Sequence, residues 1–182
     1  KGQIMAVKTS IQIKHSRTSQ GLTAIETVLL LFIIFVLGAI ALPNLISGQD
    51  KAREAAVRAN MRTTQIAAES FATDHGGAYP DGPSDAAFLS YLPGGNPMAG
   101  KAGSEPVNPY TNHAEPIIKG VVTNVGVARL ASPETLDREG QVEYSVIVDS
   151  CGVKSSYAIR GTGAAKKTLA GVGGGTFVLS KQ

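Results

Sequence analysis

The sequence predicts an α+β fold, in which one long N-terminal helix packs against a small antiparallel β-sheet. Three observations predict it: an apolar run at residues 28–46, a stretch without Gly or Pro at residues 50–75, and alternating apolar segments between residues 117 and 179. A helix and a sheet that each carry an apolar face bury both faces by packing together. The length of 182 residues suits one ordinary domain with an accessory segment.

Residues 1–21 form a basic segment without any acidic residue. Its four charged residues are Lys1, Lys8, Lys14 and Arg17. The whole chain has a net charge of +3, but 13 basic and 14 acidic residues remain once these four are set aside, a net charge of −1. The basic balance therefore indicates a leader beside a membrane, and a nucleic acid is not predicted as a partner.

Residues 22–46 are predicted to be a hydrophobic transmembrane helix. A bilayer core about 30 Å thick needs roughly 20 apolar residues, and this segment supplies 25, with Glu26 as its one charged member. The positive-inside rule then leaves residues 1–21 in the cytoplasm and the following domain outside. A secretory signal has an apolar region of only about 7 to 15 residues, whereas this run leads into further helical sequence.

Residues 47–75 are predicted to continue this helix as an amphipathic half. Its apolar stripe is expected to consist of Ala55, Ala59, Arg62, Ile66 and Phe71, widened by Ala52, Ala56, Met61 and Ala67. Gly76 and Gly77 favour the end of the helix, and Pro80 prevents its resumption. If Pro43 only bends the helix, residues 22–74 span about 80 Å. The first half must then contact lipid or neighbouring copies.

Residues 76–115 are rich in Gly, Pro, Asn and Asp, which predicts a long αβ loop with a short helix near residues 85–91. Residues 116–182 are predicted to form the antiparallel sheet. Apolar and polar residues alternate over residues 142–149, and residues 156–160 are expected to pair back after a turn. Further strands are predicted at residues 117–122 and 176–179, with a weaker candidate at residues 125–130.

The motif Gly21-Leu22-Thr23-Ala24-Ile25-Glu26, followed by the apolar run and Pro43, resembles the class III signal of type IV pilins and type II secretion pseudopilins. In that family a short basic leader ends in Gly, and the mature chain has Glu at its fifth position. Counting Leu22 as the first mature residue makes Glu26 the fifth and Pro43 the twenty-second. Leu22 departs from the family's usual Phe, and Ala24 from its usual Leu. Residues 71–80 and 96–112 are similar to the major-pilin and pseudopilin G-like types.

This resemblance implies the type IV pilin fold and a maturation pathway. A prepilin peptidase and N-methyltransferase would cut between Gly21 and Leu22. The chain would reside in membrane lipid as a single-pass protein of the inner membrane before an assembly platform and its ATPase add it to a helical homo-oligomer. That oligomer would be an extracellular pilus or a periplasmic pseudopilus.

Four residues are the candidates for filament assembly: Leu22, Glu26, Gly38 and Pro43. A carboxylate within a membrane helix costs roughly 2.5 to 3.5 kcal/mol, and the resemblance implies that Glu26 pairs with the Leu22 amine of an adjacent subunit. The alternative is that Glu26 only snorkels to the cytoplasmic interface. Gly38 and Pro43 weaken the helix locally, so we expect it to be continuous in the monomer and to loosen there in a filament.

No enzymatic activity is predicted. His15, His75 and His113 are scattered, and Cys151 lies in a predicted turn without a neighbouring base. The glycine-rich residues 171–175 lack the Lys-Ser/Thr pair and the following helix of a phosphate loop. A single cysteine cannot form the C-terminal disulfide of pilins, so the last strand needs packing and pairing, or a pseudopilin-type calcium site whose ligands the sequence does not place. No other cofactor is predicted.

The predicted function is that of a structural subunit of a type IV pilus or related filament. The alternatives are the major pseudopilin of a type II secretion system and an unrelated signal-anchored domain that binds a ligand. Secretion-channel genes beside the coding sequence would favour the pseudopilin, and retraction-motor genes the pilin. Retention of the leader without assembly would favour the third.

Overall fold

The computed structural model describes residues 21–181, except the side chains of residues 43 and 44, so residues 1–20 of the predicted leader lie outside the described part. The fold is α+β. Its elements are α1 (Ala24–Asp74), α2 (Ala86–Leu89), β1 (Ile118–Lys119), α3 (Val125–Leu130), β2 (Val142–Val148), β3 (Lys154–Gly161) and β4 (Leu179–Ser180). The chain divides into two compact units between residues 43 and 44.

Helix α1 begins at Ala24, two residues after the predicted start, and ends at Asp74 as predicted. The backbone is helical through residue 43, so the expected continuity in the monomer is confirmed. Gly76 and Gly77 follow the helix with φ angles of 67° and 89°, in the left-handed region that commonly ends helices.

Within the second unit, the face of α1 that is buried differs from the predicted one. The buried positions follow a spacing of four and three residues, at Val57, Met61, Thr64, Ala68 and Phe71. The predicted stripe was right at Phe71, Met61 and Ala67, and Ala56 is half-buried. It was wrong at five exposed positions, Ala52, Ala55, Ala59, Arg62 and Ile66. This Ala-rich helix carries small apolar residues on several faces, and the larger Val57 and Met61 give the chosen face more apolar area to bury.

The sheet has the order β1-β2-β3-β4. β2 pairs with β3 antiparallel, with Tyr144 opposite Ile159, and β3 pairs with β4 antiparallel. β1 and β2 are parallel, so the sheet is mixed and the prediction of an antiparallel sheet was wrong for β1. The connection from β1 to β2 contains a helix and is long enough to return the chain in the same direction, as parallel pairing requires.

That crossover helix, α3, occupies the residues that were weakly predicted as a strand. Asn124 is its N-cap, and the Oδ1 atom of Asn124 accepts hydrogen bonds from Gly126 N at 2.7 Å and Val127 N at 3.4 Å. A side chain that satisfies two backbone donors stabilises the first turn. The cap stabilises the helix enough to offset the preference of Val125 and Val127 for strand conformation.

The other predicted elements are present with changed lengths. β2 and the short helix α2 lie where they were expected, and β3 is longer at both ends than residues 156–160. The strand predicted at residues 117–122 is reduced to two residues, and the last strand is Leu179–Ser180, not residues 176–179. This strand pairs with β3, and Leu179 enters the core. Packing and backbone pairing therefore hold it in place.

The two faces of the sheet are both buried, but by different elements. The inner face joins the core that includes α1, through Val142, Tyr144, Tyr157 and Ile159. The outer face carries Glu143 and Arg160, which are 0% and 3% exposed.

Arg160 and Glu143 form an ion pair on this outer face. Arg160 Nε donates to Glu143 Oε1, and Arg160 Nη1 donates to Ala131 O at 3.2 Å. Thr135 Oγ1 donates to Glu143 Oε2. A buried charge pair of this kind depends on both partners, because a single buried charge is costly.

Two tyrosines clamp one glutamate between α1 and the sheet region. Tyr157 Oη donates to Glu69 Oε1 at 2.6 Å, and Tyr79 Oη donates to Glu69 Oε2 at 2.9 Å. Gln65 Nε2 in turn donates to Tyr157 Oη at 3.0 Å. Burial, together with the bond to Glu69, raises the pKa of Tyr79 to about 12. Burial also raises the pKa of Tyr157.

Glu69→Gln is expected to lower the free energy of unfolding by about 1 to 3 kcal/mol, because one tyrosine hydroxyl loses its acceptor. The pKa of Tyr79 should fall, but stay above its ordinary 10.0 because burial remains. A raised folded-state pKa contributes stability below pH 10 that is lost as the pH rises towards about 12. Thermal unfolding and tyrosinate absorbance of the detergent-solubilised chain test this, with exposed Glu134→Gln as the control. Identical curves for Glu69→Gln and the native chain would contradict the clamp.

Candidate functional site

The candidate site residues all lie in the first unit of the chain. Gly21 and Leu22 precede α1, Glu26 lies in its first turn, and Gly38 and Pro43 lie farther along the same helix. Gly38 is 12 residues from Glu26, or about 18 Å along the helix axis. The structure therefore groups Gly21, Leu22 and Glu26 and leaves Gly38 and Pro43 apart from them.

Thr23 and Glu26 form a reciprocal cap at the start of α1. Glu26 N donates to Thr23 Oγ1 at 3.3 Å, and Thr23 N donates to Glu26 Oε2 at 3.5 Å. This is a capping box, whose sequence signature is Ser or Thr followed three residues later by Glu or Gln. The Thr-Ala-Ile-Glu spacing contained this signal, but Glu26 was predicted only to act in assembly or, alternatively, to snorkel to the interface.

The carboxylate of Glu26 is exposed and weakly held within its own chain. Both capping distances exceed the usual range of about 2.7 to 3.2 Å for N–H···O bonds. Glu26 is the only charged residue between positions 22 and 49. Its negative charge lies at the helix N-terminus, where the helix dipole favours an anion. The first turn of α1 thus presents one accessible carboxylate at the end of an otherwise uncharged segment.

The helical part of the first unit exposes apolar side chains on every side. Exposed large residues occur in consecutive positions along it, including Leu29, Leu30, Leu31, Phe32, Ile33, Ile34, Phe35 and Leu37. In the most apolar 18-residue window of α1, no residue is buried within the structure. By length and composition, this N-terminal helix is able to cross a membrane.

Gly38 lies within this apolar helical segment. No atom of the described residues lies within 4 Å of a Cβ built on Gly38, beyond its neighbours and the backbone of its own helix. A glycine in a helix interior costs roughly 0.5 to 1 kcal/mol relative to Ala. The helix is therefore less stable at Gly38 than it would be with alanine there, although the segment is helical in this structure.

The remaining reactive side chains do not form a reaction centre in the described part of the chain. The His75 ring stacks on Phe71 with centroids 3.8 Å apart, and its Nδ1 lies 2.8 Å from Phe71 O. His113 lies in the αβ loop, and Cys151 is exposed in the turn between β2 and β3. His15 lies outside the described residues. Residues 171–175 form a turn closed by Gly171 N donating to Gly175 O at 2.7 Å.

Within residues 21–181, no three His, Cys, Asp or Glu side chains are grouped so that they could hold a metal ion. Over residues 21–181, the fold and site define an α+β protein whose N-terminal helix is long and apolar enough to cross a membrane. No family model matches the chain, and no curated protein or solved structure does either.

Proposed function

We propose that this chain is a structural subunit of a type IV pilus or related filament, cut after Gly21 and polymerised through α1. The observation that carries the proposal is the single accessible carboxylate of Glu26 at the start of an exposed apolar helix, five residues after Gly21. A helix that is apolar on all sides needs lipid or other helices around it. Both environments occur in turn if the subunit moves from membrane to filament.

Cleavage after Gly21 would give Leu22 a positively charged α-amine. Among residues 21–181, the hydrogen bonds of Glu26 that an incoming partner would replace are the two long bonds to Thr23. A cation from an adjacent subunit would form a stronger, charge-assisted bond with this carboxylate. Because Glu26 is the only charge in the segment, pairing it with one amine would set the axial register between neighbouring helices.

Gly21→Leu is expected to leave the precursor uncut in the membrane and without filaments, because the proposed peptidase requires a small residue before the scissile bond. Intact-mass measurement on protein from the native membrane should show a native N-terminus at Leu22, with one added methyl group. Gly48→Leu, in α1 beyond the apolar run, is the control and should be processed normally. A mature start elsewhere, for example after Ala41, would refute the proposed cleavage.

The major pseudopilin of a type II secretion system is the second candidate. The observation that favours it is the last strand, which is held by pairing with β3 and by Leu179 in the core, while Cys151 is the only cysteine of the chain. Imaging of surface filaments in cells with and without the chain separates the two candidates. Loss of secreted enzymes without loss of surface filaments would favour the pseudopilin.

A further inference from the structure

Met98 is a fully exposed apolar side chain on a fixed turn of the αβ loop. It is 100% exposed, in the centre of the single-turn helix Pro97–Ala99. Asn96 Oδ1 accepts from Met98 N at 3.0 Å and from Ala99 N at 3.3 Å. Backbone hydrogen bonds of 2.9 and 3.0 Å between Asn96 and Lys101 close the turn. The turn therefore presents Met98 to a partner with little backbone freedom left to lose.

A pocket of about 150 Å³ opens between α3 and the outer face of the sheet. Its lining residues include Val121, Val127, Ala128, Ala131, Glu134 and Arg160. Val121 and Val127 are 71% and 64% exposed. The lining is half polar, because Thr123, Asn124 and Ser132 also contribute to it, but its two valine walls are largely exposed among residues 21–181.

The guanidinium group of Arg160 in the pocket lining suits a weak hydrogen-bond acceptor such as sulfur. Arg160 uses Nε for Glu143 and Nη1 for Ala131 O, and its Nη2 has no hydrogen bond among residues 21–181. A thioether sulfur is a weak acceptor on a flexible apolar chain. A methionine side chain therefore matches both the apolar walls and the guanidinium edge.

The turn that carries Met98 and the pocket lie at different positions along the axis of α1 within the second unit. Pro97 and Gly100 line a cleft together with His75, just past the end of α1. Arg160 precedes Gly161, where an added Cβ would lie 2.9 Å from Val57 Cγ1. Val57 and His75 are 18 residues apart, or about 27 Å of helix. Met98 is therefore well separated from the pocket of its own chain.

We infer that Met98 of one copy inserts into this pocket on the next copy, an inference that rests on the proposed filament function. Contact between two different patches of identical chains is heterologous, and it continues as an open helical array when the rotation does not close. Charge complementarity also favours a second copy as the occupant of the pocket. The exposed cation Lys101 lies three residues after Met98, and the exposed anion Glu134 lines the pocket.

Paired cysteines test this contact in the full-length chain. Met98→Cys combined with Ser132→Cys, in a Cys151→Ser background, places one thiol on the turn and one at the pocket. Oxidation of filaments should give a ladder of covalent multimers, while each single-cysteine chain should give none, since disulfides need Cα atoms within about 7 Å. Filaments without a ladder would overturn the contact. Crosslinked masses that are not multiples of this chain would overturn it in favour of another protein.

A charge on the turn gives a second test with a matched control. Met98→Asp should reduce sheared-filament yield about tenfold or more, because an apolar insertion worth at least that factor is lost. Met98→Leu and Val153→Asp, the latter an exposed position in the β2–β3 turn, should retain the native yield. If Met98→Asp gave the native filament yield while assembly still depended on Glu26, this contact would be refuted and the proposed function would not. Absence of filaments from the native chain would refute the proposed function and this inference together.

Discussion

Glu26→Gln is expected to abolish nearly all filament formation while the chain still inserts into the membrane. Insertion should be at least as efficient, since removal of a charge lowers the insertion cost. Assembly should fail because the Leu22 amine of the adjacent subunit would be buried without a counter-charge. Breaking a buried pair in this way costs about 3 to 5 kcal/mol.

The capping box makes Thr23→Ala the matched control for this experiment. Thr23 and Glu26 stabilise the first turn of α1 together. Thr23→Ala therefore lowers the stability of that turn by about 0.5 to 2 kcal/mol but keeps the carboxylate of Glu26. If Glu26 acts between subunits, Thr23→Ala should still assemble and Glu26→Gln should not. Equal losses for both variants would show that Glu26 serves only as a cap.

Sheared-filament yield should be compared with membrane-fraction yield for each chain. The unfolding midpoint of the second unit should be unchanged by Glu26→Gln, because Glu26 lies outside its core. Equal filament yields for the native chain and Glu26→Gln would mean that Glu26 only snorkels, and the proposed assembly mechanism would be wrong.

Glu143→Ala is expected to be the most destabilising of the single substitutions proposed for the second unit, at about 3 to 5 kcal/mol. It leaves the Arg160 guanidinium buried without its carboxylate and removes the acceptor of Thr135. Glu143→Leu combined with Arg160→Met should cost much less, because neither charge then remains buried. Denaturant unfolding of the detergent-solubilised chain measures these differences.

Asp137→Ala is the matched control, since it breaks an exposed ion pair. Asp137 Oδ1 lies 3.7 Å from Arg138 Nε, and the two side chains are 80% and 62% exposed. Such surface pairs contribute about 0 to 1 kcal/mol. A loss of that size for Glu143→Ala would show that the buried pair contributes no more than a surface pair.

Local signals in the sequence were sufficient to predict the extent of α1, the position of α2 and the alternation of β2. An uninterrupted run without Gly or Pro and a following pair of glycines depend on neighbouring residues alone. The capping box at Thr23 and Glu26 was also readable from local spacing. These features involve residues no more than a few positions apart, so no knowledge of distant partners was needed.

The partners of those elements were decided by tertiary structure. Which face of α1 is buried depended on Val57 and Met61 meeting the sheet, since the Ala-rich helix offers several similar faces. Residues 125–130 became a crossover helix, so β1 pairs parallel to β2. The alternation over residues 142–149 predicted Glu143 only as a polar position, and its pairing with Arg160 was not predicted. By itself the sequence determined an apolar helix with one carboxylate, because composition is local, and only folding brought together residues distant in the chain.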